Sequence, residues 1–181
     1  TIKQSGGTTL VLNYGTVYNN IILVAANSFV ANTWQHVLIT FDGGTTGNVP
    51  ADSSDYYSRF NIYVDGVAKS NVGVASNSGY DGAISGANTS DNIFRFGKAN
   101  NVHNNYFDGI MNQMAIWNSD QSANVSTIYN SGATQDLSLL ASAPAHYYEI
   151  ETGVTTITDI AGSANLTGYN FIAANLVSDT P

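Results

Sequence analysis

Between Trp34 and Asn118 the chain sets out extended segments in an order that reads as a β-sheet sandwich. Trp34 to Phe41 alternates. It puts Val37, Ile39 and Phe41 on one face and Trp34, His36, Leu38 and Thr40 on the other, as the two-residue period of a strand requires. Phe60 to Asp65 is a second strand. Asp65-Gly66 then supplies a two-residue hairpin, because a type I′ turn needs positive φ at both positions. Val67 to Ala75 returns, Ile93 to Gly97 is a further strand, and Tyr106 to Asn118 is a long one entered through a bend at Gly109.

The flanks extend this pattern. Thr8 to Tyr14 and Val17 to Ala26 are β-rich, and Ile21-Ile22-Leu23-Val24 reads as a strand covered on both faces. Ala145 to Glu151 is another strand, with weaker ones at Thr155 to Ile160 and Ala164 to Phe171. One helix of about two turns is expected, with Ser122 as N-cap, Val125, Ile128 and Tyr129 as its apolar stripe and Gly132 as its stop. Its β-branched residues give it low propensity, so packing must hold it. The fold class is therefore all-β: a two-sheet antiparallel sandwich with one short helix, forming a single domain over residues 1–181, of which 152–181 is a closing segment.

Composition narrows the function. Charged residues are 10% of the chain and the net charge is -8, with five Lys and Arg. That is too little positive charge to track phosphates or an anionic membrane, so nucleic acid and membrane partners are disfavoured. No apolar run has the length of a membrane helix. There is no cysteine, which removes disulfides, thiolate zinc sites and cysteine nucleophiles together.

Strand parity locates a candidate site. If successive strands run antiparallel, the two long loops Asp42–Arg59 and Ser76–Asn92 leave from the same end, and Asp65-Gly66 lies at the other. Asp55, Tyr56, Tyr57, Tyr80 and Asp81 then share one rim, with aromatic faces for a sugar ring and carboxylates for its hydroxyls. The competing reading makes these tyrosines loop plugs or a subunit interface. Calcium would suit Asp52, Asp55, Asp81 and Asp91, since it takes oxygen ligands from loops. Against it, the chain has no Asp-x-Asp-x-Asp-Gly loop, and solvated turn-forming aspartates account for the same residues.

Catalytic signatures are weak. Glu149 and Glu151 are two apart on a strand, with side chains roughly 7 Å apart, but no Glu-x-Asp-x-x-Glu strand accompanies them. His36, His103 and His146 are the three histidines, and no Gly-x-Ser-x-Gly elbow is present. His36 reads as a packed, hydrogen-bonded core residue.

Five segments taken in order carry a resemblance: Trp34–Val37 with Asp42-Gly43, Tyr63–Gly66, Phe94–Gly97, Phe107–Gly109 leading to Trp117-Asn118, and Ile128–Gly132. Together they resemble the laminin-G-like, concanavalin A-like lectin/glucanase jelly rolls. The resemblance implies a jelly-roll sandwich and a non-enzymatic, lectin-like role. It also makes Thr1-Ile2-Lys3 look like the end of the family's first strand, whose opening part would lie upstream. The family often has Ile-Asp-Glu where Met111-Asn112-Gln113 stands, so two acids are amides here.

Tyr129–Leu137, His146–Glu151, Ile157–Ser163, Leu166-Thr167 and Leu176–Pro181 look like the closing region of such modules in structural proteins of tailed, especially marine, bacteriophages. That implies a virion-surface or extracellular setting, as a fibre, appendage or capsid decoration. The expected partners are a surface glycan or other virion proteins, in a homo-oligomer. The alternatives are a decoration protein without ligand and a secreted bacterial adhesin module.

Overall fold

The computed structural model describes residues 2–4, 10–14, 21–25, 29–41, 60–70, 72–75, 96–97, 107–150 and 155–168, the backbone alone for 2–4, 10–14, 21–25 and 72–75. Thirteen strands are found there. They are β1 (Ile2–Gln4), β2 (Leu10–Tyr14), β3 (Ile21–Ala25), β4 (Trp34–Gln35), β5 (Val37–Phe41), β6 (Phe60–Val64), β7 (Val67–Lys69), β8 (Val72–Ala75), β9 (Gly109–Met111), β10 (Gln113–Ile116), β11 (His146–Glu149), β12 (Thr156–Ile157) and β13 (Leu166–Thr167). One α-helix, α1 (Val125–Tyr129), lies between 3-10 turns.

Every described ladder is antiparallel. Three have three strands, in the orders β4-β1-β9, β2-β3-β8 and β5-β6-β7, and two have two, β10-β11 and β12-β13. The structure is thus mostly β with one short helix.

Several expected strands divide because the chain changes partner. Trp34 to Phe41 breaks at His36: β4 pairs with β1, while β5 pairs with β6 from Val37↔Val64 to Phe41↔Phe60. Val67 to Ala75 leaves β6 after Lys69 and joins β3 from Val72. Tyr106 to Asn118 breaks at Asn112, with β9 on β1 and β10 on β11. The Asn112 carbonyl still accepts from Ile150 N at 3.2 Å, so the β10–β11 ladder runs one residue further.

The hairpin between β6 and β7 forms as expected. Asp65 and Gly66 have φ of 53° and 75°, and Val64 pairs with Val67 across them.

The helix needs two corrections. Ser122 is not its cap but the first residue of the preceding 3-10 turn. The anchoring side chain is Asp120, which accepts from Ser122 N at 3.0 Å and Ser122 Oγ at 2.6 Å and so holds the entering turn. The stop is Asn130, left-handed at φ 50°, ahead of Gly132. Gln135 Nε2 donates to the carbonyls of Thr127 and Ile128 at 2.6 and 3.1 Å, satisfying acceptors the helix end leaves open.

Two clusters bury the β10–β11 ladder on both faces. Ala115 and Tyr147 meet Leu38, Val125, Ile128 and Leu137 beneath the helix. Met114 and Tyr148 meet Ile157, Phe96 and Leu166 on the other side. Tyr147 and Tyr148 are therefore both core residues. Double coverage comes from the β12–β13 hairpin, whose Ile157 and Leu166 lie on that second face and whose Asp159 is bonded to Tyr147 N and Gly162 N.

Candidate functional site

The rim residues singled out from the sequence, Asp52, Asp55, Tyr56, Tyr57, Tyr80, Asp81 and Asp91, lie outside the described residues, as do His103 and Glu151. The frame that would carry the first of their loops is described. Phe41 and Phe60 are paired across β5 and β6, their rings 4.3 Å apart, so both ends of residues 42–59 are fixed at one end of the ladder. Asp65-Gly66 closes the other end.

That closed end is tightly organised. Asp65 Oδ1 accepts from His36 N at 2.8 Å, Oδ2 accepts from Gln35 Nε2 at 3.2 Å, and Asp65 N donates to His36 O at 2.9 Å. Gln35 Oε1 in turn accepts from Val30 N at 2.8 Å. The Asp65 carboxylate thereby bridges the break between β4 and β5. The ring of Tyr129 lies over Gly66, where a β-carbon would come within 2.7 Å of its Cδ1, and packs against His36 at 5.8 Å between centroids. Thus Trp-x-His, Tyr-Val-Asp-Gly and Tyr-Asn-x-Gly, separate in sequence, meet at one place.

His36 corrects the expectation of a hydrogen-bonded core histidine. Its backbone is bonded, but its buried Nδ1 has no hydrogen-bond partner. Burial depresses its pKa from 6.5 to about 4, against an opposing pull from Asp65. Replacing Asp65 by alanine removes acceptors from His36 N and Gln35 together. A loss of about 2 kcal/mol at pH 7 is expected in urea unfolding, whereas Lys69→Ala on the same hairpin should change little.

A second polar group sits under the helix. Gln113 Nε2 is within 2.8 Å of Tyr147 Oη, 3.1 Å of Glu149 Oε1 and 3.2 Å of Gln135 O. Tyr147 Oη donates to Glu149 Oε1. Burial, with the Glu149 carboxylate beside it, pushes the Tyr147 phenol well above its ordinary range. The amide at 113 has a clear role: it donates to Glu149, where a carboxylate would repel it. Glu149 is therefore engaged by an amide and a phenol, not poised against a second acid.

The third group is centred on Asp159, whose side chain is 0% exposed. Its Oδ1 accepts from Tyr147 N at 3.0 Å and Gly162 N at 2.9 Å. Its Oδ2 meets His146 Nδ1 at 2.6 Å and accepts from Ala164 N at 3.0 Å. Burial alone would raise its pKa, but the His146 bond and three backbone donors outweigh it and hold the carboxyl far below the usual range. The His–Asp pair has the form of half a catalytic triad, yet no described hydrogen bond joins His146 to a serine. Three backbone donors mark this carboxylate as a fastener of the β12–β13 hairpin. The pattern Asp159-x-x-Gly162 was the available sequence signal: a short acidic residue followed by a glycine is how a turn wraps its own carboxylate.

Between β5 and β10 lies a groove of about 880 Å³. Its walls are consecutive residues, Val37 to Phe41 and Gln113 to Asn118, and its floor includes Ile128 and Leu137. Among the described residues no group of three or more His, Cys, Asp or Glu could hold a metal, and no helix is long and apolar enough to cross a membrane.

A family model described as the concanavalin A-like lectin/glucanases superfamily matches residues 1–125, and it is that superfamily's laminin-G-like, non-catalytic branch. No curated protein and no solved structure matches significantly.

Proposed function

Because the chain belongs to the concanavalin A-like lectin/glucanase superfamily, we propose that it is a non-enzymatic, lectin-like module built as a closed two-sheet jelly roll. Its proposed ligand is a surface glycan, held on the rim of Asp55, Tyr56, Tyr57, Tyr80 and Asp81. The observation that carries this reading is the asymmetry of the β5–β6–β7 ladder. One end is sealed by Asp65, Gly66 and Tyr129, while Phe41↔Phe60 fixes the base of a long Tyr- and Asp-bearing loop at the other. The carboxylates of Asp65, Glu149 and Asp159 are committed to structural donors, which supports binding over acid–base chemistry. Weak single sites would gain strength by repetition on an oligomer or particle. The setting we favour is a virus particle, supported by the resemblance of residues 129–181 to closing regions of phage structural proteins.

A glycan array probed with the multimerised protein tests the reading. Binding to a defined glycan class is expected, and loss of it in a Tyr56→Ala, Tyr57→Ala double variant of unchanged melting temperature. Repeating the array in EDTA reads out any calcium requirement of Asp52, Asp55, Asp81 and Asp91. Silence across a diverse array, from protein whose oligomer is intact by light scattering, would leave the ligand-free decoration role instead.

A further inference from the structure

The closed end of the β5–β6–β7 ladder is held by contacts of unequal strength. Asp65 fastens the hairpin to β4 and β5 by hydrogen bonds, to His36 N at 2.8 Å, to Gln35 Nε2 at 3.2 Å and from its own N to His36 O at 2.9 Å. The end of α1 reaches the same place through one side chain. The Tyr129 ring stands over Gly66 and lies against the His36 ring, 5.8 Å between centroids. Among the described residues the Tyr129 hydroxyl makes no hydrogen bond, so this attachment is ring packing.

The backbone beyond Tyr129 is biased toward letting go. Asn130, Ser131 and Gly132 have φ of 50°, 56° and 87°, three left-handed residues in succession. Glycine adopts that conformation freely and asparagine tolerates it, but Ser131 is strained there. The ring on Gly66 fixes where this turn begins, and the bond from Ala133 N to Asn130 O at 3.1 Å closes it.

His36 is the titratable group inside this contact. Its buried Nδ1 has no hydrogen-bond partner. The groups that act on it are the Asp65 carboxylate from the hairpin, the Tyr129 phenol from α1 and the positive charge of the amino terminus. Asp65 favours the imidazolium, whereas burial and the amino-terminal charge oppose it, burial most of all. The closed ring therefore titrates at about 4, against 6.5 in water. An imidazole in water thus holds its proton roughly 300-fold more tightly than this one. As pH falls through that window, an arrangement that lets water reach Nδ1 gains on the closed one. Attraction of an imidazolium to the Tyr129 ring works the other way, but it is worth only on the order of tenfold. The rings are also tilted by 45°.

We propose that Tyr129, Gly66 and His36 form an acid-released clasp: protonation of the His36 ring drives the Tyr129 ring off Gly66 and frees the end of α1 from the β6–β7 hairpin. Tyr129 is the part that moves, because the hairpin is bonded to His36 through Asp65 and closed by Val64↔Val67. Val125 and Ile128 keep the rest of α1 in the core. The β10–β11 ladder and its Asp159 fastening are bonded apart from the clasp and stay shut in the same window. The sealed end of the molecule is therefore the end that acid opens.

Titration of the full chain by NMR, from neutral pH down to pH 4, tests this. One α-hydrogen of Gly66 stands against the Tyr129 ring and the other does not, so the ring current should split the pair at neutral pH. The splitting should fall by at least half with a midpoint between pH 4 and 6.5, and the Ser131 and Gly132 amides should shift with it. Tyr148 and Ile157 should stay in place. In His36→Gln the splitting should persist to pH 4. A splitting that does not change with pH in the parent would overturn the proposal. So would a transition that survives in His36→Gln, since Asp65 would then be the group that senses acid. Tyr148 and Ile157 moving at the same midpoint would also overturn it, because the change would then be global unfolding. An unaltered splitting in Tyr129→Ala would show that the ring does not hold Gly66 at all.

Discussion

Gly162→Ala should cost about 3–4 kcal/mol, a large loss for a one-carbon change. The backbone at Gly162 does not demand a glycine by conformation; what it lacks is room. A β-carbon there would stand 2.6 Å from Asp159 Oδ2, 2.7 Å from the Ala145 carbonyl oxygen and 2.8 Å from His146 Nδ1. One of those neighbours is backbone and cannot swing aside, and the other two are the partners of a 2.6 Å bond. Relief requires Asp159 to withdraw, which strips acceptors from Tyr147 N, Gly162 N and Ala164 N. Unfolding in urea at pH 7 should show the loss, with a melting temperature lower by roughly 10 °C. Ser163→Ala, exposed and next door, should be near neutral. Asp159→Asn should fall between them, because its amide would turn a donor toward Ala164 N–H. A Gly162→Ala protein as stable as the parent would mean that the Asp159 cage does not hold the β12–β13 hairpin onto Met114 and Tyr148.

That cage also shows what kind of information was hidden in the sequence. The Asp65-Gly66 turn was legible because its requirement, positive φ at two adjacent residues, is local. The helix was legible because Val125 and Ile128 fall on one face, and both are buried. Its cap was misassigned because Ser122 and Asp120 both carry side-chain oxygens able to accept from backbone N–H, two residues apart, and only geometry chooses the carboxylate. Changes of strand partner at His36, between Lys69 and Val72, and at Asn112 were not legible. Alternation says that a segment is extended but not beside what. Pairings such as Gln113 with Glu149 and Asp159 with His146 join positions 36 and 13 residues apart, and no local period records them. The rim of Asp55, Tyr56, Tyr57, Tyr80 and Asp81 was inferred from strand direction alone. The β5–β6 ladder is antiparallel, and the rim residues themselves lie outside the described part of the chain.

Acid should weaken the protein in two separable stages, and His36 should account for the first. An imidazole whose folded pKa is about 4 binds its proton less readily than the unfolded chain, where 6.5 applies. Between those values the unfolded state takes up the proton and the folded state does not, so stability falls as pH falls. The contribution is complete above pH 6.5 and lost on the way down to pH 4, up to about 3 kcal/mol. The structural cause is specific: protonation at the buried Nδ1 would add a donor with nothing to receive it, under the ring of Tyr129. Asp159 acts later. Its folded carboxyl is depressed below the unfolded value of about 3.9, so its contribution persists above that pH and fades only below it. A His36→Gln variant keeps the backbone bonds to Asp65 and should remove the first stage while leaving the second. Urea unfolding of parent and variant from pH 7.5 to 3 measures this directly. The two curves should separate progressively between pH 6.5 and 4 and then descend together. Parallel curves across that window would show that His36 titrates in the folded protein as it does in water, and that the space around its Nδ1 is wet.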